Sequence, residues 1–224
     1  MSTRTIGLSE ALHRYVVEVG TREDDLLRRL RAETAEKVPD VAEMQISAEQ
    51  GQFMQWLTTA LGARRAIEIG TFTGYSSICI ARALPADGKL VCIDKSDDWT
   101  QMARRYWKEA GLEGRVELRL GDGVDMLDRM IASGESGNYD LAFHDADKQR
   151  SQEYIERLLR LLRPGGVFMV DNALRDGRVL DPGAAADRES TEAIDRLNRR
   201  LRDDERIDWC LLPIGDGVAM GRRR

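Results

Sequence analysis

The chain has 224 residues, 42% of them hydrophobic and 33% charged, with a formal net charge of −5. That length and balance fit one domain, residues 1–224, with a sizeable core, and the acidic sign argues against nucleic-acid binding, Arg222-Arg223-Arg224 being read as solvated charge. No apolar run approaches the roughly 20 residues that span a bilayer, and Met1 to Glu10 lacks a charged-then-apolar leader, so a cytoplasmic protein without a membrane partner is expected.

Leu8 to Val19 and Arg22 to Lys37 carry apolar residues at helical spacing before Pro39 interrupts, an N-terminal helical segment over residues 1–43. Ser47-Ala48-Glu49-Gln50 has the pattern of a capping box and predicts a helix through Leu61. Strand and helix signals then alternate. Strands are expected at Ala66 to Ile69, Leu90 to Ile93, Val116 to Leu120, Leu141 to His144 and Val167 to Val170, with helices near Ser76 to Leu84, Trp99 to Ala110, Gly123 to Ala132 and Gln152 to Leu162. Such alternation predicts an α/β fold, a Rossmann-like doubly wound, mostly parallel sheet. A loop around Gly183 to Ala186, a helix near Asp187 to Leu201 and an antiparallel hairpin of Ile207 to Leu212 with Gly217 to Met220 complete the chain. Cys79, Cys92 and Cys210 have no metal-binding spacing and are read as core residues.

The stretch Ala66 to Ser77 places an apolar strand, an acid and a glycine-bounded turn ahead of a helix, the arrangement of a nucleotide-type ligand site. Its glycines, Gly70 and Gly74, are spaced G-x-x-x-G rather than G-x-G-x-x-G, and Glu68 sits two residues before the first. A carboxylate there repels a pyrophosphate and attracts a sulfonium with its amino-acid tail, which favours S-adenosylmethionine over NAD. The plain alternative is an ordinary tight strand-to-helix connection.

Ligands of such sheets lie beyond the carboxyl ends of the strands, and those ends are acidic: Glu68, Asp94, Asp122, Asp145 with Asp147, and Asp171-Asn172. Asp94, roughly 20 residues past the turn, has the position of a ribose-binding carboxylate, or of a loop or capping acid. Asp145, Asp171 and Asn172 offer hard oxygen ligands suited to Mg²⁺, with Ca²⁺ or Mn²⁺ as alternatives. Lys148 beside them is a candidate base, or a lysine paired with Asp145 or Asp147. His144 points to the opposite face of its strand from Asp145.

These residues resemble the cation-dependent class of S-adenosylmethionine O-methyltransferases that includes catechol and caffeoyl-CoA O-methyltransferases. The resemblance runs from about Met44 to Arg223 and rests on Ser47 to Phe53, Glu68 to Ser76, Asp145-Ala146-Asp147-Lys148, Pro164-Gly165-Gly166, Asp171-Asn172 and Leu212 to Gly217. It implies a seven-stranded sheet with a reversed final strand, and a homodimer packed through the N-terminal segments. It further implies cofactor contacts from Glu68, Gly70, Ser76, Asp94, Gly123, Asp145 and Asp147, metal ligands Asp145, Asp171 and Asn172, and Lys148 as base. The implied reaction is metal-dependent methyl transfer to a hydroxyl of a small catechol-like aromatic, with Met44 and Arg175 on the substrate side.

Arg175 stands where the family commonly has tryptophan; it is read either as a clamp for a carboxylate on the acceptor or as a loop arginine that faces solvent or pairs with Asp176. The segment Val179 to Glu192 is shorter than in the acyl-CoA-using members, which favours a free acceptor. Two readings compete with the methyltransferase: an NAD-dependent oxidoreductase on a related sheet, and a non-catalytic cofactor-binding protein.

Overall fold

The structure, a computed structural model, describes residues 6–184 and 186–224. The described residues form eight α-helices and seven strands. Helices α1 (Glu10–Gly20), α2 (Asp25–Lys37) and α3 (Ala48–Ala60), with a 3-10 turn at Pro39–Met44, precede the sheet. Then come β1 (Arg65–Ile69), α4 (Tyr75–Ala83), β2 (Lys89–Asp94), α5 (Asp97–Glu109), β3 (Val116–Leu120), α6 (Gly123–Ala132) and β4 (Tyr139–His144). After a 3-10 turn at Lys148–Arg150 follow α7 (Ser151–Leu161), β5 (Leu162–Val170), α8 (Arg188–Arg202), β6 (Ile207–Leu212) and β7 (Val218–Arg223).

The strands form one sheet in the order β3-β2-β1-β4-β5-β7-β6. The first five pair in parallel, and β7 runs antiparallel to both β5 and β6. The chain therefore reverses its direction of travel across the sheet between β1 and β4, where open α/β sheets leave a crevice. Strand alternation divides the apolar side chains between two layers. Leu30, Met54, Ile78, Leu90 and Phe143 pack on the side of α2, α3 and α4; Ile67, Val91, Leu127, Leu158 and Phe168 pack on the side of α6 and α7. Full burial of one such side chain contributes about 1.5–3 kcal/mol, so both faces are strongly anchored.

Several local expectations are refined. Ser47 caps α3 by accepting from Gln50 N at 3.4 Å, but the glutamine side chain does not close the box; it turns into a cavity wall instead. Strand β5 begins at Leu162 rather than Val167, taking in Pro164-Gly165-Gly166, with Gly165 at φ +80°, across a register shift against β4. Cys79 and Cys92 are buried, whereas Cys210, expected in the core, is exposed on β6, the edge strand of the sheet. Of the expected loop Gly183 to Ala186, Pro182–Ala184 is a 3-10 turn and Ala185 lies outside the described residues. Residues 1–5 of the leader reading are likewise outside them. Among the described residues no helix is long and apolar enough to cross a membrane.

Candidate active site

Two cavities open side by side at the carboxyl ends of β1, β2, β4 and β5. The first, about 220 Å³, is mostly apolar and is walled by Ile69, Phe72, Trp99, Gly123, Tyr154 and Asp94 among others. The second, about 450 Å³, is lined by Asp145, Lys148, Asp171, Asn172, Asp216 and the segment Glu43 to Ser47 with Gln50. Met44, Phe72, Ala146 and Asp147 border both.

The glycine turn builds the first cavity. Gly70 has φ +87°, and a Cβ there would lie 2.2 Å from the Asp145 carbonyl oxygen, so only glycine lets β1 and β4 close at this point. Phe72 is held in the left-handed region, φ +51°, because the Thr71 and Phe72 N–H groups both donate to Asp94 Oδ2, at 2.8 and 2.9 Å. Its ring meets Trp99 edge-on at 5.1 Å, and together they make an aromatic wall. Gly123 opens α6 with the Tyr154 ring so close that a Cβ would sit 2.8 Å from it. This flat, glycine-floored slot has the shape and polarity for a nucleoside, with Asp94 at its rim.

The acidic rim thins on inspection. Asp94 accepts three backbone N–H groups, the third from Ser96 at 2.8 Å, so part of its capacity is spent on holding the turn. Asp122 caps α6 and pairs with Lys95 and Arg150. Asp147 accepts from the Tyr154 hydroxyl at 2.7 Å. Asp145 and Asp171 remain, both in the second cavity, with one cation in contact: Lys148 Nζ lies 2.7 Å from Asp145 Oδ1. Burial pushes the Asp145 carboxyl up to about 7, Lys148 pulling it down and Asp171 adding repulsion. Asn172, left-handed at φ +54°, donates its N–H to Asp171 Oδ1 at 2.8 Å. The stretch is pinned from the β6–β7 turn by Ala173 N to Gly217 O and Leu174 N to Asp216 O, both 2.9 Å.

Glu68 is fully buried on the α4 side of β1, with one oxygen 3.5 Å from the Cys92 thiol and the other without a partner. Burial is the main cause that pushes its carboxyl up to about 8 from an ordinary 4.5, with Ser76, Cys92 and Thr71 drawing it down. A raised carboxyl contributes stability fully below the lower value and loses it as pH climbs to the higher one. Between about pH 5 and 8 the cofactor-free wild type should therefore lose about 1.4 kcal/mol per pH unit relative to Glu68→Gln. Denaturant melts of both proteins across that range test this, and parallel curves would refute it.

His144 is buried facing α7, its Nε2 2.8 Å from Ser151 Oγ, and burial with Lys148 nearby drives it well below its ordinary range. It is a neutral strut under the α7 start and stays out of the second cavity. Sequence reasoning missed the aromatic wall of Phe72, Trp99 and Tyr154, and the amides Gln45 and Gln50 in the cavity walls; periodicity marks such residues as apolar or capping positions without telling which border a void.

The O-methyltransferase family model matches residues 17–224. The chain belongs to the O-methyltransferase family. It is similar to caffeoyl-CoA O-methyltransferase 2 of Populus trichocarpa, 36% identical over 96% of this chain and 89% of that one. Tricin synthase 1 of Oryza sativa subsp. japonica is 39% identical over 99% and 91%. The solved O-methyltransferase TomG from Streptomyces achromogenes, in complex with S-adenosylmethionine, superposes with TM-score 0.85 at 32% identity, covering 95% and 96%. The chain is thus an S-adenosylmethionine-dependent O-methyltransferase, and the oxidoreductase and non-catalytic readings fall away. In this O-methyltransferase Arg175 is ion-paired with Asp187 ahead of α8, is largely buried there, and is not among the residues that line the second cavity. Its Nη2 is engaged by the protein's own carboxylate, while its Nε is buried without a partner. Met44, by contrast, stands where both cavities meet.

Proposed function

We propose that this O-methyltransferase moves a methyl group from S-adenosylmethionine to one hydroxyl of a small ortho-diphenol, with a divalent cation, Mg²⁺ foremost, held by Asp145, Asp171 and Asn172. The observation that carries the reading is the meeting of those three oxygen donors with Lys148 in one cavity that opens onto the nucleoside-shaped slot. The donor set fits the ion: the buried Asp171 carboxylate, the part-buried Asp145 carboxylate and an amide oxygen are hard ligands, and Lys148 contacts Asp145. When bound, such a cation supplies acidification and orientation of neighbouring hydroxyl oxygens.

The protein's own residues do the remainder. Asp94 and the aromatic wall seat the nucleoside, Gly70 and Gly123 let the backbone approach it, and Ser76 with Glu68 faces the amino-acid end. Asp147 holds Tyr154 in the slot wall. Lys148 Nζ stands at the cavity wall to take the proton of the reacting hydroxyl, and the phenolate oxygen then attacks the methyl in line with sulfur. Met44 covers the junction between donor and acceptor and excludes water. With Arg175 tied to Asp187 and with Asp145, Asp171 and Asp216 facing the acceptor, the cavity favours a neutral ring over a carboxylated one.

A homodimer is part of the reading. Helix α1 buries none of its residues, and Leu8, Tyr15, Val19 and Trp56 leave an apolar surface at the N-terminal helices. Free thiols, one of them exposed, suit a reducing cytoplasm. The deciding experiment is transfer of radiolabelled methyl to pyrocatechol. Label should appear in the monomethyl ether, vanish with EDTA and return with excess Mg²⁺; undiminished transfer under chelation would remove the cation.

A further inference from the structure

Three acceptor atoms near the glycine turn are buried without hydrogen-bond partners: Gln45 Oε1, Glu68 Oε1 and Thr71 Oγ1. They come from three separate parts of the chain, the stretch after the Pro39–Met44 turn, strand β1 and the loop that follows it. Gln45 and Thr71 border a small void behind the turn together with Ser76 and Asp145, and Glu68 adjoins Thr71 and Ser76. Among the described residues no lysine or arginine lines this void. Unpaired buried acceptors are costly, and two at this void with the Glu68 carboxyl next to its lining residues call for a group that brings several N–H donors and positive charge.

The orientation of Gln45 is fixed from behind. Its Nε2 donates to Thr34 Oγ1 at 3.2 Å and to Thr73 Oγ1 at 3.1 Å, and the Thr34 hydroxyl donates to Thr73 Oγ1 at 2.9 Å. Thr34 belongs to α2 and Thr73 to the cofactor turn, and both are buried. With its nitrogen so engaged, the amide leaves its carbonyl oxygen as the only free valence. We propose that Gln45 is a cofactor-specificity residue: its Oε1, with Glu68 and Thr71, receives the α-ammonium at the amino-acid end of the cofactor, and Thr34 and Thr73 position it.

This rests on S-adenosylmethionine being the methyl donor, and the test separates the two claims. Calorimetry would use S-adenosylhomocysteine, which carries the ammonium, and 5′-methylthioadenosine, which has the same nucleoside without the amino-acid end. Gln45→Leu should weaken S-adenosylhomocysteine roughly 10- to 100-fold, the scale of one hydrogen bond to a charged group, and leave 5′-methylthioadenosine unchanged. Gln45→Glu, which keeps an oxygen at that place, should hold affinity within a few-fold of wild type. Thr34→Val, which only loosens the amide, should cause a smaller loss confined to S-adenosylhomocysteine. Equal loss for both nucleosides, or no loss for either, would overturn the role of Gln45 while leaving the methyl donor in place. Failure of the wild type to bind S-adenosylhomocysteine would overturn both.

Discussion

Replacing Lys148 by alanine is expected to lower kcat on pyrocatechol by roughly 10²–10⁴ at neutral pH, the usual scale for loss of a general base. The lysine is almost wholly buried, sits on a 3-10 turn directly after the cavity acids, and touches Asp145 at 2.7 Å, so its reach is fixed. Alanine also strips Asp145 of its one cationic contact, and breaking a buried pair can destabilise by about 3–5 kcal/mol. Lys148→Arg separates the effects: it keeps a positive charge beside Asp145 but is a far poorer proton acceptor. Both variants should fall together in kcat with KM little changed, and Lys148→Ala should regain rate as rising pH ionises the diphenol unaided. A loss carried by KM alone, with no recovery at high pH, would make Lys148 a binding group.

Asp171→Ala should cost more. It removes one of two carboxylates from the proposed three-ligand set, and transition-state charge stabilisation of several kcal/mol corresponds to roughly 10³-fold or more in turnover. The carboxylate is buried and also accepts the Asn172 N–H, so its loss loosens a second donor held in a left-handed conformation. S-adenosylhomocysteine affinity should survive, because the nucleoside slot is built from β1, β2 and the α6 start. Mn²⁺ binding followed by electron paramagnetic resonance, together with label transfer, tests both halves. Full turnover in this variant would end the assignment of Asp171.

Much of this site was readable in the linear chain, for a physical reason: in an alternating β/α chain, the residue that ends each strand is also the one that meets the ligand crevice. Asp145, Lys148, Asp171 and Asn172 could be named from that rule and do share a cavity. The same rule says nothing about what else a strand-end acid touches. It marked Asp94, Asp122 and Asp147 alike, although backbone N–H groups, a helix start and a tyrosine occupy much of their capacity. Arg175 looked free because its partner, Asp187, lies twelve residues on, across turns that no periodicity describes. Glu68 was found by its place before the glycine, but its complete burial and thiol neighbour depend on the cross-strand pairing of Glu68 with Cys92.

Residues Glu43 to Ser47 belong to no strand, yet they wall the second cavity, while the groups proposed to handle the proton and hold the ion directly follow β4 and β5. Reactivity and discrimination are thereby inherited through different stretches of polypeptide. A lineage can rewrite which phenol it accepts by editing this short stretch ahead of α3, so long as Gln45, which also borders the void behind the glycine turn, is kept, and a designer can do the same.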